Sequence, residues 1–335
     1  MASQQKSSPG READSVVYGA LDLGTNNCRL LLAVPQGEAF QVIDAFSRMT
    51  RLGEGLAASG RLSPSAVSRT ISALRSCAQK LSHRQARRVR AVATEACRRA
   101  DNCAAFLDRV SRETGLELEI ISAHEEATLA LTGCAPLLAA DPADALVFDI
   151  GGGSTELIRA RHRGEDIRID SILSLPMGVV TLAEQFGAEL HRPSGYRQVV
   201  AAAAEQLRPF DSDGTLSRLA AAGQLQMLGT SGTVTTLAGI HLDLKRYDRA
   251  KVDGLHMDFA AIDKVSERLL QSSFEQRAGH PCIGRERADL VMAGCAILAA
   301  ICQLWPTGSL RVADRGVREG LLLSMMRADR GARPS

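Results

Sequence analysis

The chain has 335 residues, 45% hydrophobic and 23% charged, so it has enough apolar surface for more than one core. Its formal net charge of +2 gives no electrostatic reason to bind nucleic acid or an acidic membrane. No run approaches the roughly eighteen uninterrupted apolar residues of a membrane helix, and the polar stretch 1–15 lacks the apolar centre of an export signal. These features read as a soluble, cytoplasmic protein with a disordered leader over 1–15.

Period and punctuation predict strands over 16–23, 28–35 and 38–46, joined by a Gly/Asn-rich turn and by Gln36-Gly37. Ser63-Pro64 opens an amphipathic helix to about residue 81, followed by a strand over 88–93, a helix over 101–114 and a strand over 116–121. This succession is an α/β domain. After a helical stretch over 124–134 the pattern restarts: residues 22–33 and 149–160 align without a gap, each with D-x-G after an apolar strand, a small polar turn and a second strand. The second copy continues with a strand over 167–175, helices over 179–186 and 194–207, a strand over 224–228 and a loop, Gly229 to Thr233, leading into a helix. The charged stretch 242–256 reads as a flexible loop. Helices over 259–271 and 285–304 and a strand-loop-helix over 310–326 close the chain. Two copies of one unit divide it into a first domain, 16–127, a second, 128–316, and a C-terminal helix, 317–335, that packs back on the first.

Asp22 and Asp149 each stand at a strand end before a turn of small residues, where backbone N–H groups can face an anion and the carboxylate can hold a cation. Either turn alone is an ordinary turn; two matched turns facing each other make a two-sided phosphate clamp. The eight cysteines show no C-x-x-C spacing and read as reduced, buried residues with no zinc site. Only five of the 40 basic residues are Lys (Lys6, Lys80, Lys245, Lys251 and Lys264), leaving 35 Arg, whose planar forks suit phosphate oxygens. The cluster His83, Arg84, Arg87, Arg88 and Arg90 reads first as a solvated face and second as a track for a polyanion. One Trp and three Tyr leave little surface for stacking bases.

Five segments in order carry a resemblance: Asp22 to Asn26, Ala93 to Asn102, Ser122 to Ala127, Asp149 to Glu156 and Leu228 to Thr233. Together they are similar to the exopolyphosphatase and guanosine pentaphosphate phosphohydrolase (Ppx/GppA) family, over about residues 16–326. The resemblance implies two ribonuclease H-like domains of the actin, Hsp70 and sugar kinase superfamily around an interdomain cleft. It implies a magnesium-dependent hydrolase, with manganese as the alternative ion, that releases terminal orthophosphate from inorganic polyphosphate. A homodimer with neither nucleic acid nor membrane as partner is implied as well.

By the same resemblance Glu126 is the general base, Arg98 the guanidinium that takes the terminal phosphate, and Asp149 and Glu156 the residues for the metal ion and its water. Glu125 beside Glu126, together with the bound phosphates that Glu126 would face, is expected to raise the pKa of the base. Phosphate would be held by Asp22, Gly24, Thr25 and Asn26 from the first turn, by Gly151, Gly152, Gly153 and Ser154 from the second, and by Ser231, Gly232 and Thr233 at a helix N-terminus. Arg99 and Glu95 take no role in this reading. Longer relatives carry a C-terminal helical region that extends the polyphosphate path, so a chain ending soon after residues 313–320 is expected to be less processive. Guanosine pentaphosphate is the alternative substrate. A kinase using ATP and a module that binds polyphosphate or guanosine tetraphosphate without turnover are the rival functions.

Overall fold

β1 (Tyr18–Leu23) ends in a tight turn in which the Gly24 N–H donates to the Asn27 carbonyl (2.9 Å), and the chain returns as β2 (Asn27–Gln36). β3 (Ala39–Met49) completes an antiparallel meander, with a bulge between Leu32 and Ala33 of β2. β4 (Arg88–Ala93) and β5 (Glu119–Ile120) add in parallel on the other side of β1, giving the order β3-β2-β1-β4-β5. The computed structural model describes residues 16–163 and 166–331. The predicted leader, 1–15, lies outside them.

The second sheet repeats the first. β6 (Asp144–Ile150), β7 (Thr155–Arg163) and β8 (Asp166–Leu175) form the meander, and β9 (Leu225–Thr230) runs parallel to β6. β10 (His256–Asp258) is an added antiparallel edge strand, and β11 (Ser309–Ala313) runs parallel to β9. The order is β10-β11-β9-β6-β7-β8, so the repeat seen in sequence is a repeat of topology, and the molecule is an α/β protein of two such units.

Each sheet has its own core. Ser63 caps the helix Pro64–His83 by accepting the Ala66 N–H (3.2 Å), and that helix lays Val67, Ile71, Leu74 and Cys77 against Leu21 and Leu30. On the second sheet Phe148 and Leu157 are covered by Leu237, Ile297 and Ile301. Between the sheets lies the helix Ala123–Cys134, apolar on two sides. Its Leu129 and Ala130 pack with Tyr18, Leu31 and Val92 of the first sheet, and its Ala127, Leu131 and Cys134 with Val147, Ile158 and Leu228 of the second. The expected division at 127/128 thus falls inside a helix that serves both sheets.

The last helix, Val317–Gly331, places Leu321, Leu322 and Met326 on the first sheet. It crosses the Ala123–Cys134 helix at glycines: a methyl group on Gly320 would stand 2.0 Å from the Leu129 carbonyl oxygen, and one on Gly133 2.2 Å from that of Gly316. Among the described residues no helix is long and apolar enough to cross a membrane, and all eight cysteines are free and buried.

Two stretches differ from the sequence reading, and a third agrees with the first of its two readings. The helix predicted over 285–304 begins only at Val291; residues 285–290 form successive turns after Gly284, which sits at φ +74°. The charged stretch after residue 242 is not loose. It contains the short helix Arg249–Val252, and Arg249 reaches Asp314 and Glu319 while Asp253 holds Arg315 (2.7 Å). The basic cluster is charge-balanced where it is paired, with Arg84 on Asp44, Arg88 on Asp329 and Arg90 on Glu119 and Glu125, which supports the solvated face over a polyanion track.

Candidate active site

The two hairpin turns face each other. A methyl group on Gly152 would stand 3.0 Å from the Asn26 Cβ, and one on Gly153 would stand 2.6 Å from the Thr25 hydroxyl oxygen, so only glycine permits this approach. One cavity is lined from both sides by Asp22, Gly24, Thr25, Asn26, Glu126, Asp149, Gly151, Gly152, Gly153 and Ser154, and also by Ser231, Gly232 and Thr233. Arg98 and Glu156 stand behind this lining rather than in it.

Register explains how the carboxylates meet. Asp149 and Glu156 are direct cross-strand partners on β6 and β7, so seven residues of sequence separation close to one rung. Burial, and then the Asp149 charge, pushes Glu156 up to about 7, although Ser174 donates to its Oε1 (2.8 Å). Burial pushes Asp149 up to about 6, and it raises Asp22 as well, with Arg29 opposing in both cases. Glu126 lies at the start of the Ala123–Cys134 helix, which Ser122 caps by accepting the Glu125 N–H (3.1 Å). Burial, then the charge of Glu156, holds the Glu126 carboxyl well above the usual range, against the pull of Arg98. The neighbour expected to raise it, Glu125, instead turns to the surface and binds Arg90 (2.5 Å), because adjacent helix positions face different sides.

Arg98 is held on two sides. Its Nη1 donates to Glu126 Oε2 (2.8 Å) and to the Ile121 carbonyl (3.0 Å), and its Nε and Nη2 donate to Glu95 Oε2 (3.2 and 3.0 Å). In this arrangement the guanidinium orients Glu126 rather than facing the cavity. Glu95, given no role from sequence, therefore belongs to the site: it lines the cavity and its Cγ lies against Gly153. Arg99 stays at the periphery, 3.9 Å from Glu95.

The third loop enters the helix Gly232–His241 through Ser231, at φ +125°, whose hydroxyl accepts the Thr233 N–H (3.1 Å). A side-chain-bearing residue adopts such a backbone at about 1–3 kcal/mol, so surrounding packing imposes it. Beyond this loop the cavity opens into a chamber of about 580 Å³ with Arg29, Arg285, Arg287, Arg315, Arg318 and Tyr247 in its wall. The side chains of Arg29, Arg287 and Arg318 form neither a hydrogen bond nor an ion pair with another described residue, and burial lowers the pKa of Arg287 and Arg318. The wall also carries the carboxylates of Asp22, Asp149, Glu286, Asp314 and Glu319, so these half-buried guanidiniums are offset in part by nearby acids and keep N–H groups free to meet an anion.

Sequence reasoning missed Arg29, although a signal was present. In the aligned repeats Arg29 occupies the position of Glu156, and its cross-strand partner is Asp22 as that of Glu156 is Asp149.

The donor set fits a hard divalent cation that keeps part of its shell for water and phosphate oxygens. Asp22 and Asp149 are half-buried and Glu156 is buried, all three with pKa values raised by loss of solvent, and the Asn26 Oδ1 is buried with no hydrogen-bond partner. Among the described residues no three His, Cys, Asp or Glu converge as an all-protein cage. Magnesium is commonly held by one or two carboxylates with water and phosphate oxygens completing its shell, which is what these residues can offer.

The model of the Ppx/GppA phosphatase family matches residues 32–329. The chain is 30% identical over 324 residues to Exopolyphosphatase 2 of Mycobacterium tuberculosis, covering 91% of this chain and 97% of that one. Among solved structures it is similar to the Ppx/GppA family member of Aquifex aeolicus, at 29% identity and a TM-score of 0.76, covering 94% and 98% of the two chains. An exopolyphosphatase of Cytophaga hutchinsonii, 23% identical, shares the fold with a TM-score of 0.83 over 93% of this chain and 98% of that one.

Proposed function

Since this chain belongs to the Ppx/GppA phosphatase family and is a hydrolase of polyphosphate-like phosphoanhydrides, we propose that it removes terminal orthophosphate from inorganic polyphosphate by attack of water. The observation that carries this reading is the convergence of both hairpin turns on one cavity with the Glu126 carboxylate in its wall. The terminal phosphoryl group lies between Thr25–Asn26 and Gly151–Ser154, and the rest of the chain extends past Ser231 into the arginine-lined chamber. Glu126 accepts the proton of the attacking water; burial gives it the basicity that a buried carboxylate gains, and Arg98 fixes its orientation. For Arg98 to bind the phosphate itself, its fork has to leave Glu95.

Asp149 and Glu156, with Asp22 opposite, would hold magnesium or manganese. The ion would offset two of the three carboxylate charges and polarise phosphate oxygens. Arg29, Arg287 and Arg318 neutralise charge farther along the chain. Cytoplasmic residence and a homodimer belong to the same reading, the latter checked by sedimentation.

The size of the chamber favours one second reading, hydrolysis of the terminal 5′ phosphate of guanosine pentaphosphate, because about 580 Å³ with Tyr247 in the wall can receive more than a row of phosphates. Initial rates on polyphosphate of several lengths and on guanosine pentaphosphate decide between them. Polyphosphate is expected to give the higher kcat/KM, and a reversed order would replace the first reading with the second.

A further inference from the structure

The segment between β3 and the helix Pro64–His83 belongs to neither hairpin, yet it touches both halves of the cleft. On one side it is fastened to the first turn. The Asn26 carbonyl accepts the N–H groups of Thr50 (2.9 Å) and Arg51 (3.1 Å), and the Thr25 carbonyl accepts that of Gly53 (2.9 Å). Arg69 braces it from behind, donating to the Thr50 carbonyl (3.0 Å) and to Glu54 (2.7 Å).

On the other side it has two struts into the second unit. Arg51, held at φ +49°, donates through Nη2 to the Glu286 carbonyl (2.8 Å) and to Asp289 (3.1 Å), the residues that flank Arg287. The Gly55 N–H donates to Glu184 (2.8 Å) of the helix Val179–Phe186. That helix is itself tied to the second turn, because the Val179 and Val180 N–H groups donate to the carbonyls of Gly151 (3.0 Å) and Gly152 (2.8 Å).

We propose that Arg51 is a positioning residue: its clasp on Glu286 and Asp289 sets the spacing between the Thr25–Asn26 turn and the Arg287 segment, and so the width of the phosphate site. The effect on the reaction rests on the hydrolase reading above; the effect on cleft width does not. The Arg51 and Asp289 side chains are 32% and 40% exposed. A pair this accessible contributes little to folding stability, so a large effect on turnover has to come from geometry.

The test uses the full chain with magnesium and tripolyphosphate. Arg51→Ala is expected to lower kcat/KM by roughly 10- to 100-fold, the loss typical of a site displaced by about an ångström, while the melting temperature moves by no more than about 2 °C. Arg51→Lys restores part of the loss, and Asp289→Asn, which spares the bond to the Glu286 carbonyl, gives an intermediate loss. The Arg51→Ala/Asp289→Ala double variant is no worse than Arg51→Ala, because both remove one interaction. A kcat/KM for Arg51→Ala within twofold of wild type, or losses that multiply in the double variant, overturns the proposal.

X-ray scattering in solution reads the clasp without catalysis, with Asp289→Asn as the second variant should Arg51→Ala fold poorly. Loss of the clasp widens the cleft and raises the radius of gyration, and unchanged scattering overturns the proposal. A wild-type protein inert on tripolyphosphate, on longer polyphosphate and on guanosine pentaphosphate alike refutes the proposed reaction instead, leaving the scattering comparison to decide the clasp.

Discussion

Replacing Glu126 with Gln separates chemistry from architecture. The carboxamide keeps the size of the carboxylate, and its oxygen can still accept from Arg98 Nη1, whose other bonds to Ile121 and Glu95 are untouched. Folding gains from removing a buried charge that stands near Glu156 and loses from weakening the ion pair with Arg98. Terms of this kind are of similar size, so the melting temperature is expected to stay within about 3 °C. Turnover loses the whole contribution of a general base, about 10²- to 10⁴-fold. Binding of polyphosphate holds or tightens, since one negative charge has left the cavity wall. Wild-type kcat rises with pH as the elevated Glu126 carboxyl loses its proton; in the variant that limb disappears. The assays are phosphate release across pH, with titration calorimetry for binding. A variant that binds normally and turns over within tenfold of wild type refutes Glu126 as the base.

Two further outcomes follow from the same geometry. The folded pKa values of Asp149, about 6, and Glu156, about 7, lie above their ordinary values of 3.8 and 4.5, so between these limits the folded chain keeps protons that the unfolded chain has lost. Without a cation, stability is greatest below about pH 4 for these two groups and falls by a few kcal/mol as pH rises past 7. Magnesium binds the ionised form, so it is expected to raise the melting temperature in calorimetry more at pH 8 than at pH 5; equal increments would remove these carboxylates as its ligands. Gly320→Ala puts a methyl group 2.0 Å from the Leu129 carbonyl oxygen, a backbone atom that cannot rotate away. Overpacking of this kind costs about 1–3 kcal/mol or more, and a melting temperature unchanged from wild type would mean that the two helices do not cross as described.

The parts of the fold that were legible in sequence are those governed by local rules. Alternating apolar residues, the Asp22 and Asp149 turns and the helix start at Ser63 each depend on a few neighbouring residues, and the topology repeats where the sequence repeats. Residues 285–290 have a helical pattern but form turns after Gly284, and in that conformation they meet Arg51 from the other unit, a contact that no local rule contains. The same holds within the site. The glycines and hydroxyls of the three loops could be named from the repeat and the family resemblance, whereas Glu95 matters only because β4 and the Ala123–Cys134 helix bring Arg98 between it and Glu126. Sequence correctly has the pKa of Glu126 rise, but among protein groups the cause is burial and Glu156 of the second sheet rather than the neighbour Glu125.

The pairing of Asp22 with Arg29 and of Asp149 with Glu156 gives the duplicated hairpins different charge at the same rung, balanced in the first and doubly negative in the second when all four groups are ionised. One half presents a cation next to its aspartate and the other a second acid, although the backbones are alike. A polyanion lying across the cleft therefore meets a side that attracts it directly and a side that can hold it only through a shared counterion. Had both copies kept arginine at this rung, the cleft would have grasped phosphate without a place for that counterion; had both kept glutamate, it would have repelled the anion until two ions were loaded. A difference at one position of a repeated strand pair is enough to give a symmetric scaffold a direction.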